Sequence, residues 1–315
     1  GKLLRLKPPS PAASMIPARS SLKRFRRTLT PCRRKVISFP LHNSYGGCMM
    51  IQTRPLAVLL ALAAAPAHAT TQDDVLVASL LSGWTTDGGN RMAGLDLTLA
   101  PGWKTYWRSP GDVGIPPVFD WSMSENVKSV RIHWPVPSVF EASGMLTIGY
   151  HDRVVLPLEV TPVDPSMPVT LKVAVDLGVC DEICLPAHVK LSTELAVDGA
   201  PEKHIKAALA DRAASADEAG LSSLGCTVEP IADGLRLTAR MRLRDPGAEE
   251  VVAFETADPA VWVAQAVTAR EGGELVTMTE LVPPDGAPFA LDRSSVTLTI
   301  LAAGEAVEVR GCPAP

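Results

Sequence analysis

Strict alternation of apolar and polar residues is the feature that most restricts how this chain can fold. Every second residue is apolar from 169 to 177, and the alternation returns from 189 to 197. A period of two is typical of strands that bury one face. We therefore predict an antiparallel hairpin with residues 178–188 at its tip.

The same alternation recurs along both halves of the chain, with segments rich in Gly and Pro, such as 109–117, between the runs. Turn signals at this spacing are typical of β-sandwiches. We predict an all-β fold, an immunoglobulin-like β-sandwich followed by a second, smaller β-sandwich-like domain. Helix-forming residues behind Pro201 favour a short connecting helix. The predicted boundaries are 70–198 for the first domain, 199–223 for the linker and 224–315 for the second domain.

The first 69 residues have a composition unlike the rest, with twelve Lys and Arg and no Asp or Glu. Residues 49–69 combine Arg54, an apolar run and a small-x-small ending, which is the pattern of a secretory signal peptide. The apolar run of about ten residues is too short to span a bilayer. We expect export to the periplasm, and we expect residues 1–48 to reflect a start site placed too early. A twin-arginine signal at Arg33 and Arg34 is the alternative.

Charge and missing motifs exclude several classes of function. Without the leader, 18 basic residues face 34 acidic ones, a net charge of −16. Such a surface repels phosphate backbones, so nucleic acid is not an expected partner. The histidines lack metal-ligand spacing, and neither a phosphate loop nor a nucleophile elbow occurs. We therefore expect no cofactor and no metal.

Four cysteines follow the leader, an even number that suits disulfides in an exported protein. Cys180 and Cys184 would lie about 13 Å apart on an extended strand, so the backbone must turn between them for a bond to form. A bridge around so small a loop stabilises little, whereas a dithiol suits thiol-disulfide exchange. Cys226 and Cys312 enclose a long loop, where a bridge stabilises most; we predict a structural disulfide there.

The acidic residues between the first two cysteines give that pair a distinct electrostatic setting. Asp181 and Glu182 should raise the thiol pKa values and slow random oxidation. Two other interpretations stay open: a structural disulfide, or a Cu(I) site in which His188 and Met145 join the thiolates.

Three segments, 102–121, 134–160 and 178–186, resemble the periplasmic N-terminal domain of DsbD-type thiol:disulfide interchange proteins, in the form found in ScsB proteins. The resemblance implies an immunoglobulin-like domain with protein-disulfide reductase activity. Its cysteine pair, matched by Cys180 and Cys184, takes electrons from a membrane-embedded thiol donor. It passes them to oxidised periplasmic thioredoxin-fold proteins.

The resemblance also nominates residues around the cysteines. Phe140 matches a cap-loop aromatic that shields the pair, with Met145 or Leu146 as alternatives. Tyr106 and Trp107 match a strand that lies near the family's cysteines. Ordinary packing is the competing interpretation of these two aromatics.

This chain ends without the membrane and thioredoxin-like domains of full-length DsbD proteins. We therefore expect a separate membrane donor, CcdA-like or DsbD-like. A second hypothesis starts from the five of six tryptophans that fall between Trp84 and Trp134. In a secreted binding module with an idle, structural disulfide, they would form an exposed, coplanar carbohydrate-binding face.

Overall fold

The computed structural model describes residues 70–142 and 144–315. The predicted signal peptide at 49–69 and the segment 1–48 lie outside the described residues. Within the described chain, no helix combines the length and apolar character needed to cross a membrane.

Among the described residues, ten antiparallel strands form the first sandwich, behind a short helix, α1 (Gln72–Val75). The strands are β1 (Leu76–Thr85), β2 (Arg91–Leu99), β3 (Lys104–Tyr106), β4 (Val118–Asp120), β5 (Val127–Ile132), β6 (Ser138–Ala142), β7 (Met145–His151), β8 (Arg153–Pro162), β9 (Val169–Cys180) and β10 (Cys184–Leu195). One sheet has the order β1-β2-β8-β5. The other has the order β10-β9-β3-β7-β6, with β4 also paired to β9.

The core of this sandwich follows the predicted alternation. On β9 the alternate residues from Val169 to Val179 are all buried, and they face the buried leucines of β2 and β8. An apolar residue at every second position gives each strand one core face. The prediction of an all-β, immunoglobulin-like fold is confirmed.

The predicted connecting helix is shorter than its segment. Helix α2 spans Lys203–Ala210, and the side chain of Glu202 caps it by accepting a hydrogen bond from the Ile205 N–H at 2.8 Å. Ile205 is fully buried against Met92 and Val155, so α2 covers the outer face of the β1-β2-β8-β5 sheet. A Cβ at Gly94 would lie 3.0 Å from Ile205, which explains the glycine at that contact.

In the described chain after α2, nine strands form the second sandwich. They are β11 (Ala214–Ser215), β12 (Ser223–Ile231), β13 (Gly234–Arg242), β14 (Val251–Glu255), β15 (Trp262–Val263), β16 (Val267–Glu271), β17 (Glu274–Val282), β18 (Thr297–Ala302) and β19 (Glu305–Arg310). A 3-10 turn, Arg293–Ser295, precedes β18. The sheets have the orders β11-β19-β18-β14 and β12-β13-β17-β15, with β16 also on β17. Because β11 pairs with β19, this sandwich already begins within the predicted linker.

A disulfide joins the beginning and the end of the second sandwich. Cys226 on β12 is bonded to Cys312, and both are buried. The Cys226 N–H also donates to the Pro313 carbonyl at 2.7 Å, and the Cys312 N–H donates to the Arg293 carbonyl at 2.9 Å. These contacts hold the end of the chain against β12.

The two sandwiches share an apolar contact and a charged one. Ala253, Leu301 and Ala306 of the second sandwich pack into the core cluster of the first. Beside them, the Arg108 guanidinium binds the carboxylates of Glu255 and Glu308, each at 2.8 Å. Arg108 follows β3 by two residues, so this link starts directly beside the strand that carries Tyr106.

Candidate functional site

The two cysteines of the short-spaced pair lie directly opposite each other at the end of the β9-β10 hairpin. Cys180 pairs with Cys184 in the strand register, their Cα atoms are 4.1 Å apart, and their sulfurs are bonded. The chain turns through residues 181–183, where the Asp181 N–H donates to the Ile183 carbonyl at 3.0 Å. The turn predicted between the cysteines is therefore present.

The predicted tip of this hairpin, residues 178–188, is wrong because the ladder continues to the cysteines themselves. Leu185 pairs with Val179, and Ala187 pairs with Leu177. Val179, Leu177 and Ala187 are buried, so core packing extends the strands through a segment that breaks the apolar alternation.

The two cysteine residues differ in exposure. Cys180 is 1% exposed, whereas Cys184 is exposed. Cys180 lies between neighbours on both sides, because Lys104 on β3 is opposite it on one side and β10 is on the other. Cys184 begins β10, which ends the strand order of its sheet. A partner can therefore approach the Cys184 sulfur first.

Tyr106 contacts both sulfurs. Its hydroxyl donates to Cys180 Sγ at 3.1 Å and lies 3.7 Å from Cys184 Sγ. The ring fits against Gly178, where a Cβ would come within 3.1 Å of it. Burial raises the pKa of Tyr106 above its ordinary value, so the hydroxyl keeps its proton at neutral pH and remains a donor.

The loop that follows β3 lies over this contact. We call residues 107–117 the cover loop. Ile115 reaches Gly178 so closely that a Cβ there would lie 3.1 Å from the Ile115 Cβ. Ile115 is 48% exposed on its other side. The glycines and prolines of this loop indicate a turn in the sequence, but they do not indicate which strand the turn covers.

The structure gives Trp107 and Phe140, two other nominated aromatics, contacts to residues other than the cysteines. Trp107 is buried in the core of the sandwich, and the Arg108 guanidinium lies 4.3 Å from its ring. The Phe140 ring on β6 lies 5.0 Å from Lys104 Nζ and packs edge-on against His151. Lys104 thus contacts the Phe140 ring and is also opposite Cys180 in the strand register.

The acids of the turn face solvent. Asp181 and Glu182 are both exposed, and neither forms an ion pair with another described residue. The Asp181 carboxylate packs over Gly102, where a Cβ would lie 3.3 Å from its Oδ2. Lys104, opposite Cys180 in the strand register, directs its amine to Thr147 Oγ1 at 3.2 Å. Negative charge therefore lies beside the disulfide without a neutralising partner.

The structure shows the surroundings of the residues that the alternative hypotheses name. The Nδ1 of His188 pairs with Asp176 Oδ1, and within residues 70–142 and 144–315 no three His, Cys, Asp or Glu side chains group as a metal site. The tryptophans between Trp84 and Trp134 are buried or half-buried, and four of them pack on the first core. They do not form an exposed face.

Comparison with known proteins agrees with this geometry. Residues 73–196 match the family model described as "Thiol:disulfide interchange protein DsbD, N-terminal". A comparison with curated proteins gave no match.

Among solved structures, the chain is similar to the N-terminal periplasmic domain of ScsB from Proteus mirabilis, with a TM-score of 0.60 and 22% sequence identity. That likeness covers 78% of this chain and 96% of the other, so the shared fold extends beyond the family match into the second sandwich. At residues 73–196 the chain is therefore similar to the DsbD N-terminal family, and it shares the fold of the ScsB domain.

Proposed function

We propose that this protein is a periplasmic thiol-disulfide exchange protein that works through Cys180 and Cys184. The observation that carries the proposal is the asymmetric disulfide, in which Cys184 is an exposed residue and Cys180 is buried with its sulfur hydrogen-bonded to Tyr106. A disulfide that only stabilises a hairpin needs neither feature. Because this one closes a very small loop, it contributes little to stability. The family match at residues 73–196 supports the same activity.

Reduction begins with attack by a donor thiolate on Cys184 Sγ, the accessible sulfur. The Cys180–Cys184 bond breaks, a bond forms between the donor sulfur and Cys184, and Cys180 leaves as a thiolate. The donor's second thiolate then attacks the donor sulfur that is bonded to Cys184, and Cys184 leaves as a thiolate. Two electrons pass to the cysteine pair, two protons come from solvent, and the donor becomes a disulfide.

Oxidation runs the same steps in reverse. The Cys184 thiolate attacks the disulfide of an oxidised partner, and Cys180 resolves the mixed disulfide. In both directions Cys180 carries charge while it is buried, which is unfavourable without a hydrogen-bond donor. The Tyr106 hydroxyl supplies that donor at 3.1 Å.

The exchange partners follow from the family. We propose a membrane-embedded thiol protein, CcdA-like or DsbD-like, as the donor and periplasmic thioredoxin-fold proteins as acceptors. Export by the signal peptide at 49–69 places both within reach. Asp181 and Glu182 act as a restraint, because negative charge beside the thiols raises their pKa values until a partner docks.

The reduction potential of the Cys180–Cys184 pair tests this function. The protein is equilibrated in glutathione or dithiothreitol buffers, and alkylated thiols are counted by peptide mass. We expect a potential of about −180 to −270 mV, the range of exchange proteins. A value well below about −300 mV would mark a structural bridge and overturn the proposal.

A further inference from the structure

The second sandwich contacts the cover loop at its start, through the ion pairs of Arg108, and again in its middle, through Gln265. Gln265 lies between β15 and β16, and its N–H donates to Asp112 Oδ1 in the cover loop at 3.0 Å. The side chain of Gln265 also accepts from the Leu146 N–H on β7 at 3.4 Å. Gln265 therefore joins the second sandwich to the cover loop and to β7, which pairs with the strand that carries Tyr106.

Few other contacts fix the middle of the cover loop. Its first half is held to the first sandwich, because the Ile148 N–H donates to the Pro110 carbonyl at 3.0 Å. A cleft of about 550 Å³ separates the loop from the strands β14 and β15. Asp112 bridges this cleft three residues before Ile115. Strand β4, paired to β9, begins three residues after Ile115, so Ile115 lies between the Asp112 tie and the start of a fixed strand.

We propose that the second sandwich controls access to the buried sulfur, with Gln265 and Asp112 as positioning residues. The tie holds Ile115 over Gly178 and the Tyr106 ring, and so keeps Cys180 closed to solvent while Cys184 stays open. Loosening the tie shifts the cover loop towards open states, because regions with few buried contacts open locally. This inference rests on the proposed function and assigns the second sandwich a part in it.

The test measures how often Cys180 becomes accessible. In a Cys184→Ala background, Cys180 is a free thiol, and its alkylation by iodoacetamide is followed by peptide mass. Adding Asp112→Ala removes the acceptor, and we expect alkylation to become about two- to tenfold faster, the change that one lost hydrogen bond makes in an opening equilibrium. Asp112→Asn keeps an acceptor oxygen and should restore the slow rate.

The matched control is Asp164→Ala, which removes a similar carboxylate contact, to the Ser166 N–H at 2.9 Å. Asp164 lies beyond the opposite end of β9 from Cys180, so its loss should leave the alkylation rate unchanged. Asp112→Leu keeps a similar side-chain shape without the acceptor and provides a second variant should Asp112→Ala fail to fold. Gln265→Ala keeps the backbone N–H that binds Asp112 and removes only the contact to Leu146, so it should leave the rate close to background. Background rates in the folded Asp112→Ala or Asp112→Leu variants, or equal acceleration by Asp164→Ala, would overturn the proposal.

Failure of the proposed function is distinguishable from failure of this inference. Exchange between the wild-type disulfide and a reduced thioredoxin-fold protein reports on the function alone. The alkylation rates report on the cover loop alone. If the wild-type protein exchanges but the Asp112 variants are alkylated at the background rate, the positioning role is rejected. If the wild-type protein does not exchange, the function on which that role rests is rejected.

Discussion

The hydroxyl of Tyr106 lies 3.1 Å from the Sγ of Cys180 and 3.7 Å from the Sγ of Cys184, so one phenol touches both sulfurs of the pair. Tyr106→Phe keeps the ring and removes the donor. A hydrogen bond to a charged group contributes about 1.5–3 kcal/mol, so we expect the Cys180 thiol pKa to rise by about one unit or more. Disulfide exchange should slow about tenfold.

The pH profile of alkylation and the exchange rate with reduced thioredoxin measure this effect. Tyr150→Phe is the matched control, because Tyr150 is also buried and its hydroxyl donates to the Pro135 carbonyl at 2.8 Å instead of to sulfur. A tenfold loss in both variants would mean that Tyr106 acts through stability rather than through sulfur.

The difference in exposure predicts which cysteine forms the bond with a partner. Cys180→Ala leaves the exposed Cys184 thiol and should accumulate mixed disulfides with thioredoxin-fold proteins in periplasmic extract. Cys184→Ala leaves the buried Cys180 and should trap far fewer. Non-reducing electrophoresis followed by mass spectrometry counts the adducts. Equal trapping by the two variants would contradict the assigned order of attack.

The turn acids predict a change in thiol reactivity. In Asp181→Asn with Glu182→Gln, the negative charge that disfavours a thiolate is gone, so the cysteine pKa should fall and small oxidants should react faster. Both side chains are exposed, so solvent screening limits the shift to less than about one unit. The pH profile of alkylation measures it, with Asp164→Asn as a distant control. An unchanged pH profile would show that Asp181 and Glu182 do not restrain the thiols, but it would leave the redox role of the cysteine pair standing.

The two disulfides should differ in their effect on stability. Replacing Cys226 and Cys312 by alanine should lower the free energy of unfolding by about 4.5 kcal/mol in the loop-entropy model. Replacing Cys180 and Cys184 should lower it by about 2 kcal/mol in the same model. Urea denaturation of both double variants makes the comparison. A larger loss of stability on replacing Cys180 and Cys184 would contradict the structural role assigned to the Cys226–Cys312 bridge.

The ion pairs of Arg108 with Glu255 and Glu308 predict that the protein loses stability in acid. Burial alone would raise the pKa of Glu308, but Arg108 and Arg310 outweigh it and hold the pKa below its ordinary value of 4.5. Because the pKa is lower in the folded chain, the link stabilises the fold above about pH 4.5, and that contribution is lost as the pH falls further.

Glu308→Gln should therefore lower the urea midpoint at pH 7 and reduce the drop in midpoint between pH 5 and about pH 3. Glu194→Gln, an exposed glutamate on β10, is the control. If the urea midpoints of wild type and Glu308→Gln change in parallel with pH, the Arg108–Glu308 ion pair does not contribute to stability.

The parts of this site that follow from local pattern were accessible from the sequence. The alternation along β9, the turn between Cys180 and Cys184, and the place of Tyr106 each depend on neighbouring residues or on a motif. The contacts that were missed join distant segments: Ile115 reaches Gly178, and Gln265 reaches Asp112. Periodicity assigns a residue to a face, but it does not say which loop will cover that face.

The hairpin that holds the cysteines has a consequence for recognition. Twelve register pairs join β9 to β10, and the sulfur bond adds a covalent link only at the last of them. Breaking that bond releases a three-residue turn and leaves the ladder in place. The oxidised and reduced forms thus present the same scaffold, so a partner must distinguish them at the sulfurs and the turn itself.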